Sequence, residues 1–284
     1  MRRFALLLIC FGGFYLLAFH MFRVLTDVGE LRTSFVRVNY DPKEKTATAE
    51  IQKARPAGWT SLGAISPLAV SAIVLSEDWA FYQHNGFDFQ QIWDSFTTNL
   101  KKGKFARGGS TITQQMVKNV YLTGEKTIWR KIQEAVLAIR VERHVGKKRI
   151  LEIYLNVVEF GPGVYGIGPA SQYYFHKSPS ELSAKEGAFL AMLLPSPKKY
   201  SVSFRKQTLT PYARSTVRAI LGKLVATGRV SQADYEQLVA TPFSFEAVPE
   251  TAPDSAVVEE ETVEDSETGD DDSTQIPPDL NPDA

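Results

Sequence analysis

The chain of 284 residues has a single cysteine, Cys10. No internal disulfide can form, and a cysteine-based zinc cluster is excluded. Histidine is scarce too. His20, His84, His144 and His176 are too dispersed to read as a metal site by spacing alone. Asn- and Gly-rich turn signals between alternating strands are few, which argues against an all-β body. The most telling absence is local. From Glu246 to Ala284 there are fourteen Asp and Glu and no Lys or Arg. That stretch lacks aromatics and has four prolines after Thr251, a composition that predicts a disordered acidic tail over 246–284. The formal charge of zero therefore averages two unlike parts. Residues 1–245 carry 32 basic against 18 acidic side chains, a net of +14, suited to a polyanionic partner such as anionic lipid or phosphate.

The N-terminus is the opposite of the tail. Arg2 and Arg3 precede Phe4 to Phe22, nineteen residues whose only potential charge is His20. As a helix this run covers roughly 28 Å, close to the hydrocarbon thickness of a bilayer. It is longer than the apolar core of a signal peptide and no small-x-small exit follows. The expectation is one uncleaved transmembrane anchor over 1–23, N-terminus in the cytoplasm and the rest outside. Cys10 then reads as a membrane-buried apolar side chain. Outward orientation removes nucleic acid as a partner. Residues 24–61 read as a stalk with one short strand near Ser34–Tyr40, closing at Pro56-Ala57-Gly58. From Leu62 to about Phe243 the apolar periodicity is helical. Pro67 starts a helix capped by Ser66. Phe89 to Leu100, Ile128 to Ile139, Ile150 to Leu155, Glu181 to Leu194 and Pro211 to Thr227 read as further helices. The body is mainly α.

Three stretches are too polar to be core and too specific to be linker. In Ser76 to Asp88, SEDWAFYQHNGFD, Glu77 and Asp78 end an apolar helical run and aromatics follow. A carboxylate so flanked is partly desolvated, which raises its pKa and suits it to proton transfer near neutral pH. In RGGSTITQQMVKN, Gly108 and Gly109 allow close backbone approach to a ligand, and Ser110 and Thr111 stand at the start of a helix. Gln114 and Lys118 follow four residues apart on one helical face. In KTIWRKIQEAVLAIRVER, Arg130 and Glu134 are also four apart, and the apolar run after Glu134 directs that acid toward a cleft. Two other matches fail. Gly161 to Gly166 fits G-x-G-x-x-G without the strand–turn–helix context a dinucleotide site needs. Ser196 to Lys199 fits S-x-x-K, but Pro197 interrupts the helix that motif requires.

In order, E-D-x-x-F-x-x-H-x-G at Glu77–Gly86, G-G-S-T-I-T-Q-Q-x-x-K-N at Gly108–Asn119, R-K-x-x-E at Arg130–Glu134 and K-x-x-I-L-E-x-Y-L-N at Lys147–Asn156 resemble the family-51 glycosyltransferases, the peptidoglycan transglycosylases. With one anchor and no transpeptidase domain, the chain is similar to the monofunctional, biosynthetic type. The resemblance implies a lysozyme-like helical fold of two lobes over 62–245. It also implies polymerisation of lipid II into β-1,4-linked glycan at the outer face of the cytoplasmic membrane, with inversion and release of undecaprenyl pyrophosphate. Glu77 would be the base at the acceptor's 4-hydroxyl. Glu134 would orient cations, or a divalent metal such as Mg or Mn, at the leaving group. Ser110, Thr111 and Gln114 would line the donor subsite. Lys118, Arg130 and Lys131 would meet pyrophosphate, as would Lys126, which stands where other members carry an arginine. The partners implied are lipid II, the growing lipid-linked chain and the membrane, with cell-wall synthesis or division proteins beside them.

Overall fold

The computed structural model describes Gly13 and residues 27–88, 109–122 and 127–247. The expected anchor, the expected helix at Phe89–Leu100, Gly108, Lys126 and the acidic tail beyond residue 247 lie outside the described residues. No helix among the described residues is long and apolar enough to cross a membrane.

The fold is mainly helical. Ser66 opens α1 (Pro67–Glu77), its hydroxyl accepting from Ala69 N–H with proline in the first turn. Helices α2 (Ile112–Tyr121) and α3 (Ile128–His144) lead into α4 (Lys147–Val157). A two-stranded hairpin follows, β3 (Glu159–Gly161) with β4 (Val164–Tyr165), preceded in the chain by the longer hairpin β1 (Phe35–Asp41) and β2 (Thr46–Gln52). Then come α5 (Ile167–Phe175), α6 (Ala184–Leu193), the one-turn helices α7 (Pro197–Tyr200) and α8 (Val202–Arg205), α9 (Pro211–Ala226) and α10 (Gln232–Ala240). The G-x-G-x-x-G stretch is thus an antiparallel hairpin, and Pro197 starts a helix of a single turn.

Helix α6 is buried on every side, as befits the centre of a helical body. Ala69, Ala72 and Ile73 of α1 pack on it, and α9 lies across both. The approach of α1 and α6 depends on Gly187, where a Cβ would stand 2.4 Å from Ala69 Cα. Helix α2 packs against α3 and α4.

The segment expected as a stalk is instead part of the body from Asp27 onward. Val28, Leu31, Val36 and Trp59 join the core, and β1 runs antiparallel to β2 from Phe35 opposite Gln52 to Asp41 opposite Thr46. What secures it is one face of α4. Arg149 donates to the carbonyls of Leu31 and Ser34 and stacks on Phe35 and Trp59, 5.3 Å from each ring centre. Glu152 accepts from Trp59 Nε1 at 3.2 Å and Leu62 N at 3.0 Å. Asn156 takes both backbone polar groups of Thr60, accepting from N at 2.7 Å and donating to O at 2.8 Å. Residues 149, 152 and 156 fall on one side of a helix, and their partners lie ninety or more positions earlier. A segment without strong periodicity of its own thus gains its structure from a distant helix.

The burial of α3 also departs from expectation. Its isoleucines repeat at helical spacing, yet Ile128 is 84% exposed, and Trp129, Ile132 and Ile139 are exposed as well. The buried members are Glu134, Leu137, Ala138 and Val141. Periodicity located the helix; packing chose a different stripe.

Candidate active site

Glu77 is the last residue of α1 and Asp78 its C-cap. Their environments differ. Asp78 is fully buried. One carboxylate oxygen accepts from Ile112 N–H, the first helical amide of α2, at 2.9 Å, a placement stabilised by the helix dipole. His84 Nε2 lies 2.9 and 3.1 Å from the two oxygens. Because Gly86 N–H donates to His84 Nδ1 at 3.1 Å, Nε2 is the nitrogen that carries hydrogen and donates to Asp78. Gly86 itself has φ +94°, and a Cβ there would meet the Ala138 carbonyl and Glu142 Cγ. The turn after α1 is therefore clamped between α2 and α3. Sequence reasoning gave neither Asp78 nor His84 a role, since the amide that Asp78 caps is 34 positions downstream.

Glu77 is only partly buried at its surface and meets a different set of groups. Gln115 Nε2 donates to its Oε2 at 2.9 Å. Burial pushes the carboxyl above its ordinary value; the Gln115 hydrogen bond and the ammonium groups of Lys118 and Lys223 oppose that rise, and neighbouring Asp78 adds to it. Lys223 enters from α9, where it donates to the Leu75 carbonyl. No motif marked it.

The second stretch divides into structural and exposed halves. Thr111 and Gln114 form a reciprocal cap on α2: Gln114 N–H donates to Thr111 Oγ1 at 3.3 Å, and Thr111 N–H to Gln114 Oε1 at 2.9 Å. The Thr111 hydroxyl donates to the Gly86 carbonyl at 2.9 Å. Both residues, expected to line a donor subsite, are buried with their polar groups turned into the fold. The T-x-x-Q spacing of a capping box could have announced this. The residues on the Glu77 side are Gln115 and Lys118, three apart, rather than Gln114 and Lys118. Lys118 is exposed in the last turn of α2.

The third stretch starts α3, where Thr127 caps Arg130 N–H at 3.1 Å. Glu134 is 3% exposed, and its ion-pair partner is Lys131, three residues back, instead of Arg130. The Lys131 ammonium also donates to Ser110 Oγ at 2.9 Å. Arg130 is partly buried, and its Nε has no hydrogen-bond partner among the described residues. Ser110 joins the two acids: its hydroxyl meets Lys131, and its carbonyl lies 3.5 Å from Gln115 Nε2. A path of polar contacts therefore runs Glu77–Gln115–Ser110–Lys131–Glu134, with lysines along it.

The family model described as Transglycosylase matches residues 44–225. This chain belongs to the transglycosylase family. It is 43% identical over 168 residues to the biosynthetic peptidoglycan transglycosylase of Nitrosospira multiformis, covering 59% of this chain and 71% of that protein. It is 44% identical over 151 residues to that of Laribacter hongkongensis, covering 53% of this chain and 66% of the relative. Penicillin-binding protein 1A of Aquifex aeolicus is 38% identical over 206 residues, which is 72% of this chain and 27% of that protein. The chain is accordingly a peptidoglycan glycosyltransferase, an enzyme that builds glycan strands. The matched region begins inside the β1–β2 hairpin, consistent with that hairpin belonging to the body.

A divalent metal fits this donor set poorly. Among the described residues no three His, Cys, Asp or Glu side chains converge, and the Lys131 ammonium already occupies one oxygen of Glu134.

Proposed function

We propose that the domain uses Glu77 to polymerise lipid II, with the growing lipid-linked chain as donor and the incoming lipid II as acceptor. The observation that carries this reading is a carboxyl raised by burial, held on one oxygen by Gln115 and facing two ammonium groups. A carboxylate whose proton affinity is raised in this way is a stronger base than an ordinary one. Glu77 takes the proton of the acceptor's 4-hydroxyl. The freed oxygen pair forms the new bond to the donor's anomeric carbon, and the bond from that carbon to the pyrophosphate oxygen breaks. The electron pair leaves on undecaprenyl pyrophosphate. Attack opposite the α-linked leaving group gives a β-1,4 bond with inversion.

The leaving group gains negative charge as it departs, so fixed cations stabilise the transition state more than the ground state. Lys131, Arg130, Lys118 and Lys126 fill that role. Glu134 holds Lys131 in place, and the Ser110 hydroxyl steadies the same ammonium. Thr111 and Gln114 act indirectly, by fixing the start of α2.

The same reading takes the fold as lysozyme-like and two-lobed, with an anchor at 1–23 holding it at the outer face of the cytoplasmic membrane. A body of net charge +14 suits a surface of anionic lipid, at about 1 kcal/mol per basic residue near it. Purified lipid II tests the proposal. The wild type should yield glycan polymer and lipid pyrophosphate, and Glu77→Gln should yield neither while still binding donor. Release of short fragments from finished glycan, with no polymer from lipid II, would identify a hydrolase instead.

A further inference from the structure

Tyr154 is fully buried on α4, and its hydroxyl donates to Gln115 Oε1 at 3.2 Å. Burial pushes this phenol well above its ordinary value, with Glu77 and Asp78 adding to the rise, so it remains an O–H donor across the working pH range. A glutamine amide presents one acceptor and one donor end and can turn over. Here three neighbours choose the same orientation. The tyrosine offers a hydrogen to Oε1, while the Glu77 carboxylate and the Ser110 carbonyl both accept from Nε2. The reverse orientation would set an acceptor against two acceptors and turn the amide nitrogen toward the phenol, leaving the buried tyrosine hydrogen without an acceptor. As a consequence the two oxygens of Glu77 are not equivalent. Oε2 is bound by Gln115, and Oε1 has no hydrogen-bond donor among the described residues.

We infer that Tyr154 and Gln115 are positioning residues that lock the Glu77 carboxylate through a Tyr–Gln–Glu relay, assigning Oε1 as the oxygen that receives the acceptor's proton. The inference rests on Glu77 being the base. The groups that face Glu77 are Gln115 and Lys118 from α2, Lys223 from α9, Asp78 beside it and Tyr154 behind Gln115. Lysines remain in every variant below, so a change in pH behaviour reports the relay alone. Of the neutral contacts, the Gln115 bond stabilises the ionised form. Its loss moves the pKa up, and with it the acid limb of the rate profile.

The test is steady-state polymerisation of lipid II between pH 5 and 9 by the full chain and three variants, with thermal unfolding of each. Gln115→Leu should lower kcat about tenfold, leave KM nearly unchanged and move the acid limb up by about one pH unit, the size of one hydrogen bond to a charge. Tyr154→Phe, which keeps the buried ring, should move both in the same direction by less. A structural role alone would lower the unfolding temperature and the amount of active enzyme while leaving the acid limb in place. Wild-type acid limbs in both variants, with Glu77→Gln inactive, would overturn the relay and spare the base. A fully active Glu77→Gln would overturn the base itself, and the relay with it.

Discussion

Two faces of α4 hold polar side chains to different ends. Arg149, Glu152 and Asn156 look toward residues 31–62, and each spends its polar atoms there: both ends of the Asn156 amide and both oxygens of Glu152 are engaged. Tyr154 looks the other way, into Gln115 and, beyond it, Glu77. On that side the satisfaction is incomplete. Glu77 is held by Gln115 through Oε2, and Oε1 has no hydrogen-bond donor among the described residues. A seam closes its hydrogen bonds within the protein because an unmade bond there costs stability. A site leaves some open because a substrate must complete them. One motif, K-x-x-I-L-E-x-Y-L-N, serves both.

Breaking the catalytic side should show the largest effect. Glu77→Gln is expected to slow lipid II polymerisation by about 10²–10⁴-fold, the usual contribution of a positioned base, with an unfolding temperature no lower than that of the wild type. Activity within a factor of two would remove Glu77 from the chemistry. Next comes Lys131→Met, which leaves Glu134 buried without its ammonium and takes one cation from the leaving group. A fall of about 10²-fold is expected, read as a loss in kcat at saturating lipid II. On the seam the signature should reverse. Asn156→Ala strands both backbone polar groups of Thr60 and should cost about 1–3 kcal/mol in denaturant unfolding, with turnover per folded molecule close to the wild type at low temperature. If turnover falls instead, the two faces are not separate.

Stability against pH sharpens the contrast further. Glu77 holds its proton to a higher pH when folded than when unfolded. Between those two pKa values the folded state binds more protons, so stability falls as pH rises through them. Glu77→Gln removes this loss. The variant and the wild type should unfold alike near pH 4, and the variant should become the more stable as pH rises toward neutral. The smallest effect is expected at Ile128, apolar in sequence but 84% exposed: Ile128→Ser should change unfolding free energy by no more than about 0.5 kcal/mol. A larger cost would mean that this end of α3 is covered.

The local devices of the fold were legible. Ser66-Pro67 announced α1, and the isoleucine spacing announced α3. The reciprocal cap of Thr111 and Gln114 is encoded in T-x-x-Q, but its polar neighbours suit ligand contacts equally well, and nothing in the sequence separates Gln115 from Gln114. The pairing of Glu134 was placed one turn position off, because i,i+3 and i,i+4 partners are equally available on a helix and only the pull of Ser110 on Lys131 separates them. The segment from Asp27 to Ser61 gave no sign of joining the body. Its anchors are Arg149, Glu152 and Asn156, and nothing in residues 27–61 encodes them.

From sequence alone follow the family's motifs, the helical body, the charge division between body and tail, and the candidacy of Glu77 and Glu134. These depend on residue type, spacing and composition, which act over a turn or two of chain. Tertiary structure decided that Gln115 rather than Gln114 meets the acid, that Lys223 arrives from α9, that Asp78 caps α2 and that Tyr154 stands behind the glutamine. Those contacts join residues 34 to 148 positions apart. They exist because close packing of α1, α2, α4 and α9 leaves one orientation for each buried polar group, and burial makes the wrong orientation costly.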